Sequence, residues 1–134
     1  MAKILLFLAL AYTGTLTYFS LIVINFKVSV AGFDPTDKML HAGAYLFLTG
    51  IWKLYFVFKK SDFTRYTANL WWVALASFMF GMLIEVLQGT LTSYRTPDWW
   101  DILANSTGVA LAVLFFIVLA PTVKKLDRSF LNKL

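Results

Sequence analysis

The chain has 134 residues, of which 60% are hydrophobic, 18% aromatic and only 14% charged; a soluble domain is about half apolar and about a quarter charged, so this composition excludes one. The net charge of +5 comes from bases that flank apolar runs and form no groove-sized surface, which excludes nucleic acid as a partner. There is no cysteine, so disulfides, thiolate metal sites and a cysteine nucleophile are excluded as well.

Four apolar runs, residues 4–26, 39–58, 68–91 and 102–123, have the roughly 20 residues that a helix needs to cross the hydrocarbon layer. Lipid offers no hydrogen bonds, so each span must be helical, and the alternation of a membrane barrel is absent. The expected fold is an all-α membrane protein, residues 1–134 forming one compact bundle of four transmembrane helices. The first run follows Met1-Ala2-Lys3 and resembles a secretory signal, with Ser29-Val30-Ala31 as a weak cleavage site. It is far longer than the roughly 7–15 apolar residues of such a signal, so a retained span is expected.

Lys and Arg beside the spans set the orientation. Lys3, Lys59, Lys60, Arg65, Lys124, Lys125, Arg128 and Lys133 fall at one side, and only Lys27, Lys38 and Arg95 at the other. Both ends of the chain are therefore expected in the cytoplasm, with the first and third loops outside. Lys53, in the second span, is close enough to the cytoplasmic end to snorkel toward it. Trp99 and Trp100 suit an aromatic belt at the outer interface, and Trp71 and Trp72 one at the inner.

The remaining polar residues gather on the outer side. Asp34, Asp37 and Lys38 lie in the first outer loop, and His41 just inside the second span. Glu85 and Gln88 occupy the last turns of the third. Arg95, Asp98 and Asp101 lie in the second outer loop, with Asn105 one turn into the fourth span. Asp37 and His41 are four apart, with Tyr45 one turn further, so a helix places all three on one stripe. Asp98, Asp101, Asn105, Gly108 and Ala112 form a second stripe, and Pro97 before Asp98 suits a helix start. Glu85 stands roughly 9 Å below the outer boundary at about 1.5 Å per residue. A carboxylate at that depth must be protonated, paired or facing a wet cavity, with Arg95, Lys38 and His41 as the cations within reach.

Each residue also has a structural use. Asp98 suits a helix cap, Glu85 with Arg95 an ion pair that fixes packing, and His41 a donor to a carboxylate. Tyr45 suits an ordinary interfacial aromatic. What independent caps and pairs do not explain is the choice of one membrane face by three chain segments. The clustering favours a functional site.

The pattern Asp37-Lys38-x-x-His41-x-x-x-Tyr45, then Glu85-x-x-Gln88, then Arg95-x-x-Asp98-x-x-Asp101-x-x-x-Asn105-x-x-Gly108 resembles the VanZ-like family of small bacterial membrane proteins. The resemblance covers about residues 34–108. Ala112 departs from it, since the family often has a second glycine there. The resemblance implies a multi-pass protein of the bacterial inner or plasma membrane. It also implies a link with resistance to the glycopeptide teicoplanin, which engages peptidoglycan precursors outside the membrane; it implies a phenotype and no reaction.

The leading expectation is a binding site for an anionic lipid or a lipid-linked cell-envelope precursor, formed by Asp37, Lys38, His41, Glu85, Gln88, Arg95, Asp98, Asp101 and Asn105. Lys38, His41 and Arg95 would hold phosphate. Asp98, Asp101 and Asn105 would bind sugar hydroxyls or a hard cation that bridges to phosphate. An enzyme acting on such a lipid is the alternative, with Glu85 or His41 as acid or base and Asp98 and Asp101 as metal ligands. No nucleophile motif supports it; Ser93 and Ser106 lack a fitting context. A proton-coupled transporter would need polar residues at several depths, and here they stop in the outer half except for Lys53. A scaffold whose outer cluster docks another membrane subunit is the fourth class. No cofactor is expected, membrane lipids are the expected partners, and Gly108 also suits association of two copies into a homo-oligomer.

Overall fold

The computed structural model describes residues 1–22, 35–59, 65–91 and 98–131, with side chains up to 125. These residues form four helices, α1 (Ala2–Leu21), α2 (Pro35–Lys59), α3 (Tyr66–Leu91) and α4 (Trp99–Leu131). The expected all-helical bundle is observed. Three of the four, α1, α3 and residues 99–125 of α4, are long and apolar enough to cross a membrane. α2, the second of the expected spans, is long enough at 25 residues, while Asp37, Lys38, His41 and Lys53 lower its apolar character.

Helix ends follow local chemistry. Pro35 opens α2, where a missing N–H costs nothing and φ is already set. Asp37 stands in its first turn and Lys59 in its last, each matching the helix dipole. α1 stops at Leu21 because Ile22 is extended, with φ −92° and ψ 156°. The helix thus ends before residue 26, and a β-branched run starting at Ile22 disfavours its continuation. α4 runs beyond the expected end at 123 and through Pro121 to Leu131.

Contacts between helix ends show that the helices alternate in direction. Lys38 near the start of α2 bonds Asp98 beside the start of α4, so these two run parallel. Gln88 at the end of α3 donates to the Ser20 carbonyl at the end of α1 at 2.8 Å, so these also run parallel. The Asp98 amide donates to Glu85 near the end of α3 at 3.4 Å, which sets α3 against α4. Lys3, Lys59, Arg65, Lys124 and Lys125 consequently lie toward the end of the bundle opposite Asp37, Asp98 and Asp101.

α2 packs against each of the other three helices, most extensively against α4. The core between them contains Tyr45, Leu48, Tyr66, Leu70, Ala74, Val109, Val113 and Phe116. α1 is tied to α2 by the Tyr12 hydroxyl, which donates to the Ala44 carbonyl at 3.1 Å, and by Trp52 Nε1, which donates to Thr13 Oγ1 at 3.1 Å. Outward faces carry large apolar side chains such as Phe7, Leu83, Phe115 and Val118, all exposed. In water this surface would drive aggregation; in lipid it is the solvated side.

The α2–α4 contact depends on Gly108. A Cβ there would lie 2.0 Å from the Ala42 carbonyl oxygen and 2.9 Å from the Leu46 nitrogen, so backbone meets backbone. Gly108 therefore serves packing within one chain. Gly108→Ala is expected to destabilise the fold by about 1–3 kcal/mol or to abolish folded yield, because neither backbone can move aside. Gly14→Ala, where nothing lies within 4 Å, is expected to be neutral or mildly stabilising. Thermal melts of both variants in one detergent check the contrast, and equal melts would show that the close approach is not needed.

Candidate functional site

The starts of α2 and α4 meet in a charged cluster. Lys38 Nζ donates to Asp98 Oδ2 at 2.6 Å, to Asp37 Oδ2 at 3.2 Å and to Asp101 Oδ1. An ammonium has three donor directions, and all three are taken by carboxylates. Burial alone disfavours the Lys38 charge, but the hydrogen bonds from Asp101, Asp98 and Asp37 outweigh it and hold the pKa above the ordinary lysine value. Lys38 neutralises its own protein's acids. To hold a ligand phosphate, as the sequence led one to expect, it would have to release one of these carboxylates.

Asp98 does two jobs. Its Oδ1 accepts from the Trp100 amide at 2.9 Å, the N-cap bond that satisfies one of the orphan N–H groups of a helix start. Its Oδ2 faces Lys38. Burial raises the Asp98 pKa, but the Lys38 ammonium and the Trp100 amide outweigh that and leave it below the usual aspartate value. Its side chain is 40% exposed, against 9% for Asp101, so Asp98 is the more accessible of the two to a ligand.

His41 lies one turn deeper. Its Nδ1 is 3.1 Å from Asn105 Oδ1; a carboxamide oxygen only accepts, so Nδ1 carries the hydrogen. The other nitrogen, Nε2, faces Asp37 Oδ1 at 3.7 Å and Asp101 Oδ1 at 3.8 Å. A bare lone pair between two carboxylate oxygens is repelled by both. A cation standing between them would relieve that repulsion. One ligand atom from each of Asp37, His41 and Asp101 can be chosen so that all three lie within 4.8 Å of one another, the spacing of a candidate metal set. Sequence reasoning named Asp98 and Asp101 as metal candidates; the structure groups Asp101 with Asp37 and His41 instead, because Asp98 is turned to cap α4.

Glu85 is 3% exposed and accepts from the Asp98 amide, so it underlies the cluster from α3. Gln88 sits on the same face but donates to α1, which gives it a role in joining helices. Arg95 and Asp34, both singled out from the sequence, lie outside the described residues. Below Glu85, Tyr45 from α2 and Asn105 from α4 converge on Gly81 of α3. A Cβ at Gly81 would stand 3.0 Å from the Tyr45 ring and 3.3 Å from Asn105 Nδ2.

Two buried polar residues were not anticipated in these roles. Thr49 is fully buried, and its place four residues beyond Tyr45 was the signal in the sequence. Lys53, expected to reach the cytoplasmic side in water, is 1% exposed. It donates to the Tyr66 carbonyl at 2.7 Å and lies 3.6 Å from the centroid of that ring. It does reach toward the basic end, but finds protein there.

The pKa shifts give a stability prediction with a definite sign. Lys38, raised, contributes stability below the ordinary lysine value and loses it as pH rises through the folded one. Asp98, lowered, contributes above the ordinary aspartate value and loses it as pH falls through the folded one. The cluster's full contribution therefore spans about pH 4 to about pH 10. In Lys38→Met three carboxylates lose their common partner, so its melting temperature is expected well below wild type at pH 7. The gap should narrow as pH falls below about 4 and the carboxylates become neutral. Equal melting temperatures at pH 7 would show that the cluster does not stabilise the fold.

No curated protein and no solved structure matches the chain. The family model described as VanZ/LLP1 matches residues 1–120, a range that takes in α1, α2, α3, most of α4 and every residue of the cluster. With three long apolar helices beside it, that match makes this a multi-pass membrane protein belonging to the VanZ/LLP1 family.

Proposed function

We propose that the cluster is an outward-facing site for the phosphate-bearing head of an anionic lipid or lipid-linked cell-envelope precursor, with a divalent cation joining phosphate to protein. The observation that carries this reading is the charge balance of the cluster: Asp37, Asp98 and Asp101 surround one ammonium whose donors are all engaged, and Glu85 lies beneath Asp98. A phosphate meeting those acids directly is repelled, whereas a cation at Asp37, His41 and Asp101 neutralises them and keeps open positions for phosphate oxygens. The more exposed Asp98 suits sugar or amine hydrogens of the head. The basic residues at the opposite end favour a cluster that faces away from the cytoplasm. In the plasma membrane of a bacterium this is where such precursors are displayed, and a protein that holds one there would alter sensitivity to a glycopeptide such as teicoplanin.

Native mass spectrometry from mild detergent tests the site. Wild type is expected to retain a phosphate-bearing lipid, with retention falling at least about tenfold on chelator treatment and in Asp101→Asn, the change expected when about 1.4 kcal/mol or more of binding is removed. Arg95→Ala reports whether the second loop adds a direct phosphate contact. Identical lipid profiles in all samples would refute lipid binding at the cluster and leave a protein partner as the reading to pursue.

A second reading, chemistry on the bound lipid, is favoured by the fixed His41 ring, whose Nδ1 is held while Nε2 faces two carboxylates, the setting of a general acid or base. Turnover of a lipid phosphate that is lost in His41→Asn or Glu85→Gln would support it.

A further inference from the structure

α1, α2 and α3 enclose a cleft of about 490 Å³, none of whose lining residues belongs to the charged cluster. Trp52 and Phe56 of α2 and Trp72 and Phe80 of α3 wall it, Thr13 stands on the α1 side, and carbon makes up nearly all of its surface. The polar atoms of Trp52 and Thr13 are turned on each other. Trp52 Nε1 donates to Thr13 Oγ1 at 3.1 Å, which in turn donates to the Ala9 carbonyl at 2.7 Å. A polar occupant finds little to bond there, and an apolar one leaves nothing unsatisfied. α1 and α3 touch each other less than either touches α2, so the cleft opens between them, beside the exposed Ala76 and Trp72. Outside that mouth lies hydrocarbon.

Depth picks out the leaflet. Along α2 the cleft runs from Phe56 to Leu48, about 5 Å to about 16 Å inward from Lys59 at about 1.5 Å per residue. One leaflet supplies half of a hydrocarbon layer about 30 Å thick, or about 15 Å. The cleft therefore spans the leaflet on the basic side and ends near the midplane. Each of its tryptophans also has a base two turns nearer the basic end. Lys59 follows Trp52 by seven residues and ends α2; Arg65 precedes Trp72 by seven and stands just before α3. Seven residues return a helix to nearly the same face. Both bases are exposed, and the ion pairs among the described residues all lie in the cluster at the other end. Two such cations at headgroup level, above an apolar cleft, match an anionic phospholipid with phosphate above and chain below.

We propose that the cleft seats one acyl chain of an anionic phospholipid from the leaflet on the basic side, with its phosphate held by Lys59 and Arg65. A helix of another protein fits less well. With side chains it is about 10–12 Å across, so a stretch as long as the cleft, about 12 Å, fills roughly 900 Å³ or more and stays mostly outside. A hydrocarbon chain carries no side chains and enters whole. This lipid is separate from whatever the carboxylate cluster binds.

The test is native mass spectrometry of the protein released from nanodiscs of equimolar phosphatidylethanolamine and phosphatidylglycerol. Wild type is expected to keep one phosphatidylglycerol in about twentyfold preference to phosphatidylethanolamine. Lys59→Gln and Arg65→Gln are each expected to lower that preference about fivefold. Ala76→Trp, which fills the mouth from an exposed position, is expected to lose the lipid. Leu83→Trp, at an exposed position of α3 outside the cleft, is expected to keep it. Asp101→Asn is expected to keep it too, which separates this lipid from one held at the cluster. Only variants that elute as a single peak are compared, and Ala76→Phe replaces Ala76→Trp if that one does not. Equal retention of the two lipids by wild type overturns the proposal, as does an unchanged lipid in Ala76→Trp. So does its loss in Leu83→Trp or Asp101→Asn, or a protein chain bound in its place.

Discussion

The close approach of α2 and α4 at Gly108 is the constraint on which the rest of the molecule depends. With no side chain at Gly108, the Ala42 carbonyl and the Leu46 nitrogen come into contact with the α4 backbone. That contact sets the register between two parallel helices. One turn above Ala42, Lys38 then comes within reach of Asp98 and Asp101, and His41 comes level with Asn105. A lysine reaching across a wider gap would leave three carboxylates facing one another without a counter-charge. Packing and electrostatics are therefore one device: the glycine brings the acids close, and Lys38 makes that closeness tolerable.

Bilayer physics explains why α2 is the helix that carries the polar groups. A helix with lipid on any side must keep that side apolar, since nothing in hydrocarbon can accept a hydrogen bond. α2 packs against all three others, and its contact with α4 is the most extensive in the bundle, so it has a protein-facing surface on several sides. Polar side chains that would be expelled from α1 or the outer faces of α3 and α4 are held there, as Lys53 on Tyr66 shows. The same position lowers its apolar character below that of the other three helices. Low hydropathy in the central helix is thus a mark of its place in the bundle.

Much of this was legible in the sequence. The stripes Asp37–His41–Tyr45 and Asp98–Asp101–Asn105–Gly108 were readable because side-chain spacing on a helix is fixed, and they do meet. The helical class followed from the lack of hydrogen bonds in lipid. Less legible was which charge answers which. Lys38 could be aimed at a ligand or at its neighbours, and only the 60-residue link to Asp98 decides that. Gln88 was assigned to the cluster by its spacing from Glu85, but its amide turns to Ser20, a choice made by the position of α1. Thr49 was unread for a different reason. In a soluble helix one face is apolar and the other polar, so the buried side shows; here the outside is apolar too, and a threonine among Leu48, Gly50 and Ile51 shows its direction only by its place four residues beyond Tyr45.

His41 is where the two halves of the molecule join. Toward the membrane surface its Nε2 faces Asp37 and Asp101, and inward its Nδ1 is tied to Asn105, which touches the same glycine as Tyr45. The imidazole thus ties the charged cluster at the helix starts to the buried contact of α2, α3 and α4 at Gly81, so that the packing of the core and the geometry of the cluster are set by the same ring.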